Sequence, residues 1–276
     1  MCLPRADTQA PPRDRHTRRR TVMALNPKLL WENLTPAELD AAVQVTPLAY
    51  VPAGSLEWHG QHLPLGCDSI RALAICHGAA EISGGVVLPP LYTTAPGFSA
   101  YRGSLFFSGR LVKALVDELL RELRKVGFRA VVLLLGHAGK AQDESFREPA
   151  EAYGERYGMK LLVTTGMELI PEELRAHGGH AGASETVQCL AARPGSVDLS
   201  RFDPNATTLP RYEGLNPATY SVGLSEELHG HVRTHMARTE WAWSPDLAEV
   251  STVELGEQQL AAMARGLAEQ AEALLG

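Results

Sequence analysis

From Trp31 onward the apolar positions follow two alternating rhythms. Short, nearly unbroken runs occur at "PLAYVPAG" (47–54), "GGVVLPPL" (84–91), "FRAVVLLLG" (128–136) and "KLLVTTG" (160–166). Between them lie stretches with apolar residues at helical spacing: "NLTPAELDAAVQ", "SIRALAICHGAAEI", "RLVKALVDELLRELRKVG", the segment Gln142 to Tyr157 and "VELGEQQLAAMARGLAEQAEALL". Unbroken apolar runs of this length read as strands covered on both faces. The periodic stretches read as amphipathic helices. Thr35 stands at an N-cap with Pro36 behind it and Glu38 in the first turn, Asp68 stands where an N-cap would open the second helix, and Gly127 closes the third. Strand and helix in alternation predict an α/β fold with a mostly parallel sheet and helices on both sides. No repeat or linker divides the chain, so residues 25–276 read as one domain.

Composition changes this picture little. The 276 residues are 45% hydrophobic and 21% charged, and the formal net charge of -6 argues against a nucleic-acid partner. No apolar run reaches bilayer length. Cys2, Cys67, Cys76 and Cys189 form no CxxC pair, as expected of reduced thiols in a cytoplasmic protein. Residues 1–24 are rich in Pro and Arg and lack an apolar core, so they read as a disordered basic tail or as sequence upstream of a true start at Met23. The stretch 195–243 is irregular and polar. Within it "HGHVRTH" places His229, His231 and His235 together, a spacing that suits a solvated loop or subunit contact better than a metal site.

Three loops carry concentrated chemistry, and each follows a predicted strand, where open α/β sheets place their ligands. "GSLEWHGQHLPLGCD" offers Glu57, His59 and Asp68; "LLLGHAGKAQ" offers His137; "GGHAGASET" offers His180 and Glu185. Carboxylates mixed with imidazoles suit Zn, Mn or Fe rather than calcium. Three carboxylates suffice for two divalent ions about 3.5–4 Å apart with one carboxylate bridging. A lone loop carboxylate is ordinarily solvated or capping, and His137 could simply bond a backbone carbonyl. The coincidence of the clusters at strand ends, each among glycines that permit close backbone approach, favours a shared site. An extended backbone would send Glu57 and His59 to one side and Trp58 into packing, with His62 and Cys67 in support. Other chemistries fit poorly. "GHAGKA" has Leu134 and Ala141 where a phosphate loop needs Gly and Ser/Thr, and no G-x-S-x-G elbow occurs.

"VPAGSLEWHGQHLPLGCD" resembles the "lPvGsxExHGpHLPlgTD" signature of the creatininase (creatinine amidohydrolase) family. "LLLGHAGK" is similar to that family's "vNGHGGN" segment and "HAGASET" to its "HAGexET" segment, in the same order. The resemblance implies a three-layer α/β/α sandwich with a mostly parallel sheet, a homo-oligomer (a hexamer in that family) and two divalent ions. Glu57, Asp68 and His137 would hold one ion; His59, Asp68 and Glu185 would hold the other, with Asp68 bridging. His180 would shuttle protons, and Ser99 would lie on the substrate side. Hydrolysis of a C–N bond in a small cyclic or linear amide by metal-activated hydroxide is the implied reaction. Departures are visible: Ala138 and Gly139 stand where creatininase proper carries Tyr-Glu, that Glu being a metal ligand, and Lys140 and Cys67 replace Asn and Thr. A pocket for creatinine itself is therefore not expected. Two other readings follow, a non-catalytic oligomeric metal-binding relative, and a peptidase or formamide hydrolase in a cofactor pathway.

Overall fold

Thr35 accepts the backbone N–H of Glu38 while the Glu38 carboxylate accepts that of Thr35, a capping box that starts α1 (Pro36–Val45) as its sequence predicts. In the computed structural model, which describes residues 25–93, 95, 102–176, 179–203 and 244–276, four strands follow: β1 (Leu48–Ala53), β2 (Val86–Val87), β3 (Ala130–Leu135) and β4 (Lys160–Thr164). They pair in parallel, in the order β2-β1-β3-β4, with Leu48 opposite Ala130 and Ala53 opposite Leu135. Every residue of β1 and β3 is buried, which is why neither shows polar alternation.

The two faces of the sheet bury different helices. Ala49, Val51, Val131, Leu133 and Leu135 pack with Val112, Val116 and Leu120 of α3 (Gly109–Val126) and with Phe146 and Ala150 of α4 (Lys140–Tyr157). Leu48, Tyr50, Val132 and Leu134 pack with Ala72, Ile75 and Cys76 of α2 (Cys67–Ser83) and with Met263 and Leu267 of α6 (Val253–Leu275). A shorter helix, α5 (Ala183–Ala192), packs on α2 and α6. The result is an α/β/α sandwich. Among the described residues no helix is long and apolar enough to cross a membrane.

Three details depart from the sequence pattern. β2 spans only Val86–Val87, because Pro89 and Pro90 have no N–H for a ladder; Leu88 and Leu91 still donate to Tyr50 and Pro52. α4 begins at Lys140, ahead of the predicted Gln142, and carries Pro149 inside it. Asp68 caps nothing: Gly66 is the N-cap of α2, no side chain caps the helix, and the Asp68 carboxylate turns toward neighbouring loops.

Two glycines bring α2 against the strand ends. A Cβ on Gly54 would lie 2.4 Å from the Ser69 backbone nitrogen, and one on Gly136 would lie 2.3 Å from the Asp68 carbonyl oxygen. Both contacts are with backbone, so they cannot be relieved by a rotamer. Gly136→Ala is therefore expected to push the first turn of α2 away from β3, lowering stability by about 1–3 kcal/mol. Thermal denaturation should show the loss, and binding of Zn or Mn should weaken with it, because Asp68 moves.

Candidate metal centre

The strand order reverses between β1 and β3: the chain leaves β1 for β2 on one side and returns to β3 on the other. Open α/β sheets form their ligand crevice at such a point. Here the loop after β1 supplies Glu57 and His59, β3 delivers His137, the first turn of α2 supplies Asp68, and that of α5 supplies Glu185. Glu57, His59, Asp68 and His137 are all buried, at 6% exposure or less. The His137 Nδ1 lies 2.9 Å from Glu57 Oε2 and 3.4 Å from Asp68 Oδ2. The His59 Nε2 lies 3.1 Å from Asp68 Oδ1 and 3.6 Å from Glu185 Oε2. Donor atoms of Glu57, Asp68 and His137 come within 4.8 Å of one another, as do those of Glu57, His59 and His180, and of His59, Cys67 and Asp68.

Tautomers make the cluster intelligible. The His59 Nδ1 is 2.9 Å from the Glu57 carbonyl oxygen, which can only accept, so Nδ1 carries the proton. A neutral His59 then aims an Nε2 lone pair at the acceptor-only oxygens of Asp68 and Glu185. Only a cation between them, a ring proton or a metal ion, reconciles that geometry. A ligand imidazole held by a backbone carbonyl on its far nitrogen is the usual support around metal sites. The donor set therefore fits a divalent ion of the zinc or manganese type. His180 is oriented alike: its Nε2 donates to the Trp58 carbonyl, its ring stacks 4.2 Å from that of His59, and its Nδ1 sits 4.0 Å from Glu57 Oε2.

Electrostatics separates the histidines. Burial works against a charged His59, yet Asp68 and Glu185 raise its pKa from 6.5 to about 10. His137 is also pushed well up, Glu57 and Asp68 outweighing burial. Burial and the His59 charge hold His180 below the usual range instead. Burial raises the Glu57 carboxyl, but His137 and His180 overcome this and bring it to about 2. In the ion-free protein the raised His59 gives stability that is complete below pH 6.5 and lost as pH climbs toward 10; the depressed Glu57 gives stability present above 4.5 and lost as pH falls toward 2. A metal must displace the ring protons. Its affinity should therefore rise with pH, by on the order of tenfold per unit for each proton released. Competition with a chelator between about pH 6 and 9 checks this, and a flat profile would speak against imidazole ligands.

Sequence reasoning missed the supports. Ser55 donates to Asp68 Oδ2 at 2.6 Å. Arg71, 3% exposed, reaches Asp68 Oδ1 at 3.4 Å and Glu185 Oε1 at 3.0 Å. Its only sequence signal is a charge in a largely apolar helix, one turn after Asp68. His62 is buried beside Thr186 and Trp58 joins an apolar cluster with Leu63, Cys67 and Ile70, both as supports of the loop. Lys140, by contrast, is largely exposed and lies 3.4 Å from Glu144, one turn along its own helix. Ser99, His229, His231 and His235 lie outside the described residues.

Comparisons with known proteins identify the family and the fold. The creatininase family model, described as creatinine amidohydrolase, matches residues 32–271. The creatinine amidohydrolase of Pseudomonas putida is 28% identical over 187 residues, 59% of this chain and 71% of that protein. The mycofactocin precursor peptide peptidase of Mycolicibacterium smegmatis is 28% identical over 226 residues, 73% of this chain and 87% of that one. Among solved structures, a creatinine amidohydrolase (creatininase) matches with a TM-score of 0.67 at 25% identity, covering 88% of this chain and 96% of that one. A zinc–zinc form of a creatininase variant matches with the same values.

Proposed function

The chain belongs to the creatininase family, and on that premise we propose that it is a metal-dependent amidohydrolase cleaving the C–N bond of a small cyclic or linear amide other than creatinine. The buried convergence of Glu57, Asp68 and His137 at the sheet's switch point carries this reading. Those three residues would hold a divalent ion of the Zn, Mn or Fe type. Such an ion, when bound, supplies a Lewis acid that acidifies water and polarises a carbonyl. The protein's own groups do the rest. Trp58 fixes the His180 ring through Nε2, so that Nδ1 faces the carboxylates and can pass a proton to the departing nitrogen. Ser55 and Arg71 hold the two oxygens of Asp68. Ala138 and Gly139, where creatininase proper carries Tyr-Glu, support a substrate other than creatinine.

The relative that cleaves a precursor peptide favours a second reading, cleavage of a peptide bond, and its alignment covers more of this chain than the creatinine amidohydrolase alignment does. Lys140, the feature behind a purely metal-binding, non-catalytic role, pairs with Glu144 on its own helix. Free buried thiols at Cys67, Cys76 and Cys189 support a reducing, cytoplasmic setting. A homo-oligomer, hexameric by resemblance, is the proposed assembly.

The deciding experiment strips the purified protein with a chelator, reloads it with Mn or Zn, and screens creatinine, other cyclic amides, formamides and short peptides. Turnover of a non-peptide amide that vanishes on stripping and returns on reloading is the expected result. Turnover confined to peptides would favour the second reading, and metal bound without turnover on any substrate would restore the binding role.

A further inference from the structure

We propose that the Arg71 guanidinium takes the place of the second metal ion, so that the chain holds one divalent ion, on Glu57, Asp68 and His137. This rests on the metal-dependent reading above. The second position of a binuclear site would lie among His59, Asp68 and Glu185, and Arg71 already binds two of those three. Its Nη1 is 3.0 Å from Glu185 Oε1 and 3.4 Å from Asp68 Oδ1. The other Glu185 oxygen, Oε2, accepts the Ala181 N–H at 2.7 Å. Among the described residues Glu185 joins none of the three compact donor groups.

Arg71 is not a passing rotamer. Its Nε donates to Gln188 Oε1 at 2.9 Å, and Gln188 in turn donates to Gln259 Oε1 at 2.8 Å, so a buried chain of amides from α5 and α6 clamps the guanidinium. Arginine cannot shed its proton to admit a metal ion. Charge points the same way. With neutral imidazoles, Glu57, Asp68 and Glu185 against Arg71 leave two negative charges, which one divalent ion balances, whereas a second ion would leave two positive charges in a buried site. A proton on His59 Nε2, which faces Asp68 and Glu185, only adds to the positive side. Gly139 offers no side chain to compensate.

Elemental analysis of the full chain, saturated with Mn or Zn and then freed of excess, reads the number directly. One ion per chain is expected for the wild type, with an isolated-ion Mn EPR spectrum rather than an exchange-coupled one. Arg71→Met, which removes the resident cation and frees Glu185, should bind two. Glu185→Gln should still bind one, because Glu185 serves Arg71 rather than a metal. Two ions in the wild type, loss of the ion in Glu185→Gln, or a folded Arg71→Met that stays at one would each overturn the inference. If Arg71→Met does not fold, the wild-type count and Glu185→Gln decide. No ion at all in the wild type would instead overturn the metal-dependent reading.

Discussion

Asp68→Asn is expected to abolish stoichiometric metal binding and to lower kcat/KM by about a thousandfold or more. Asp68 is the carboxylate that joins His137 to His59 and Arg71. Its Oδ2 takes the Ser55 hydroxyl at 2.6 Å and faces His137 Nδ1 at 3.4 Å, while its Oδ1 faces His59 at 3.1 Å and Arg71 at 3.4 Å. Asparagine keeps the shape but removes the charge and turns an amide donor toward groups that need an acceptor. Metal polarisation of a carbonyl and water is worth several kcal/mol, and about 4 kcal/mol corresponds to a thousandfold. The ion-free variant should also be less stable than the ion-free wild type, by about 3–5 kcal/mol, since a buried pair has lost one partner. Elemental analysis and thermal denaturation separate the two effects. A variant that unfolds more easily yet binds as much metal as the wild type would show that Asp68 is only an electrostatic strut.

What could be read from the chain, and what could not, follows from the range of the interactions involved. β1 and β3 were legible because two-sided burial writes an unbroken apolar run, and α1 because its capping box is local. Glu57, His59 and His137 were legible because strand ends in such sheets gather at one edge. Asp68 looked like a cap because a carboxylate at a helix start usually bonds its own backbone; here Ser55 and two imidazoles from other loops compete for it. Arg71 was invisible for a related reason. Its partner Glu185 lies 114 positions away and Gln188 lies 117 positions away, so no local pattern marks it. Lys140 is the converse case: its partner, Glu144, is one turn along its own helix. A charge beside a motif in sequence was solvated, and one buried in a helix pattern was in the site.

His180→Gln tests the other half of the chemistry and should separate proton transfer from metal binding. The His180 ring could act in two ways, because its donor atom also groups with those of Glu57 and His59. If it is a ligand, its removal costs metal. If it is the proton carrier, metal content stays at the wild-type value while kcat/KM falls by about a hundredfold to ten-thousandfold. The second outcome is expected. Burial and the neighbouring His59 hold His180 below the ordinary histidine range, whereas His59 and His137, pressed against carboxylates, are raised. A ring held by one nitrogen on the Trp58 carbonyl, with the other 4.0 Å from the Glu57 carboxylate, is placed to take up a proton and release it. The leaving group supplies the sharper measurement. An amide whose amine departs without protonation needs no acid, so the variant's loss should shrink sharply on such an activated substrate. An equal loss on activated and ordinary amides would remove His180 from the proton-transfer step and return it to the metal.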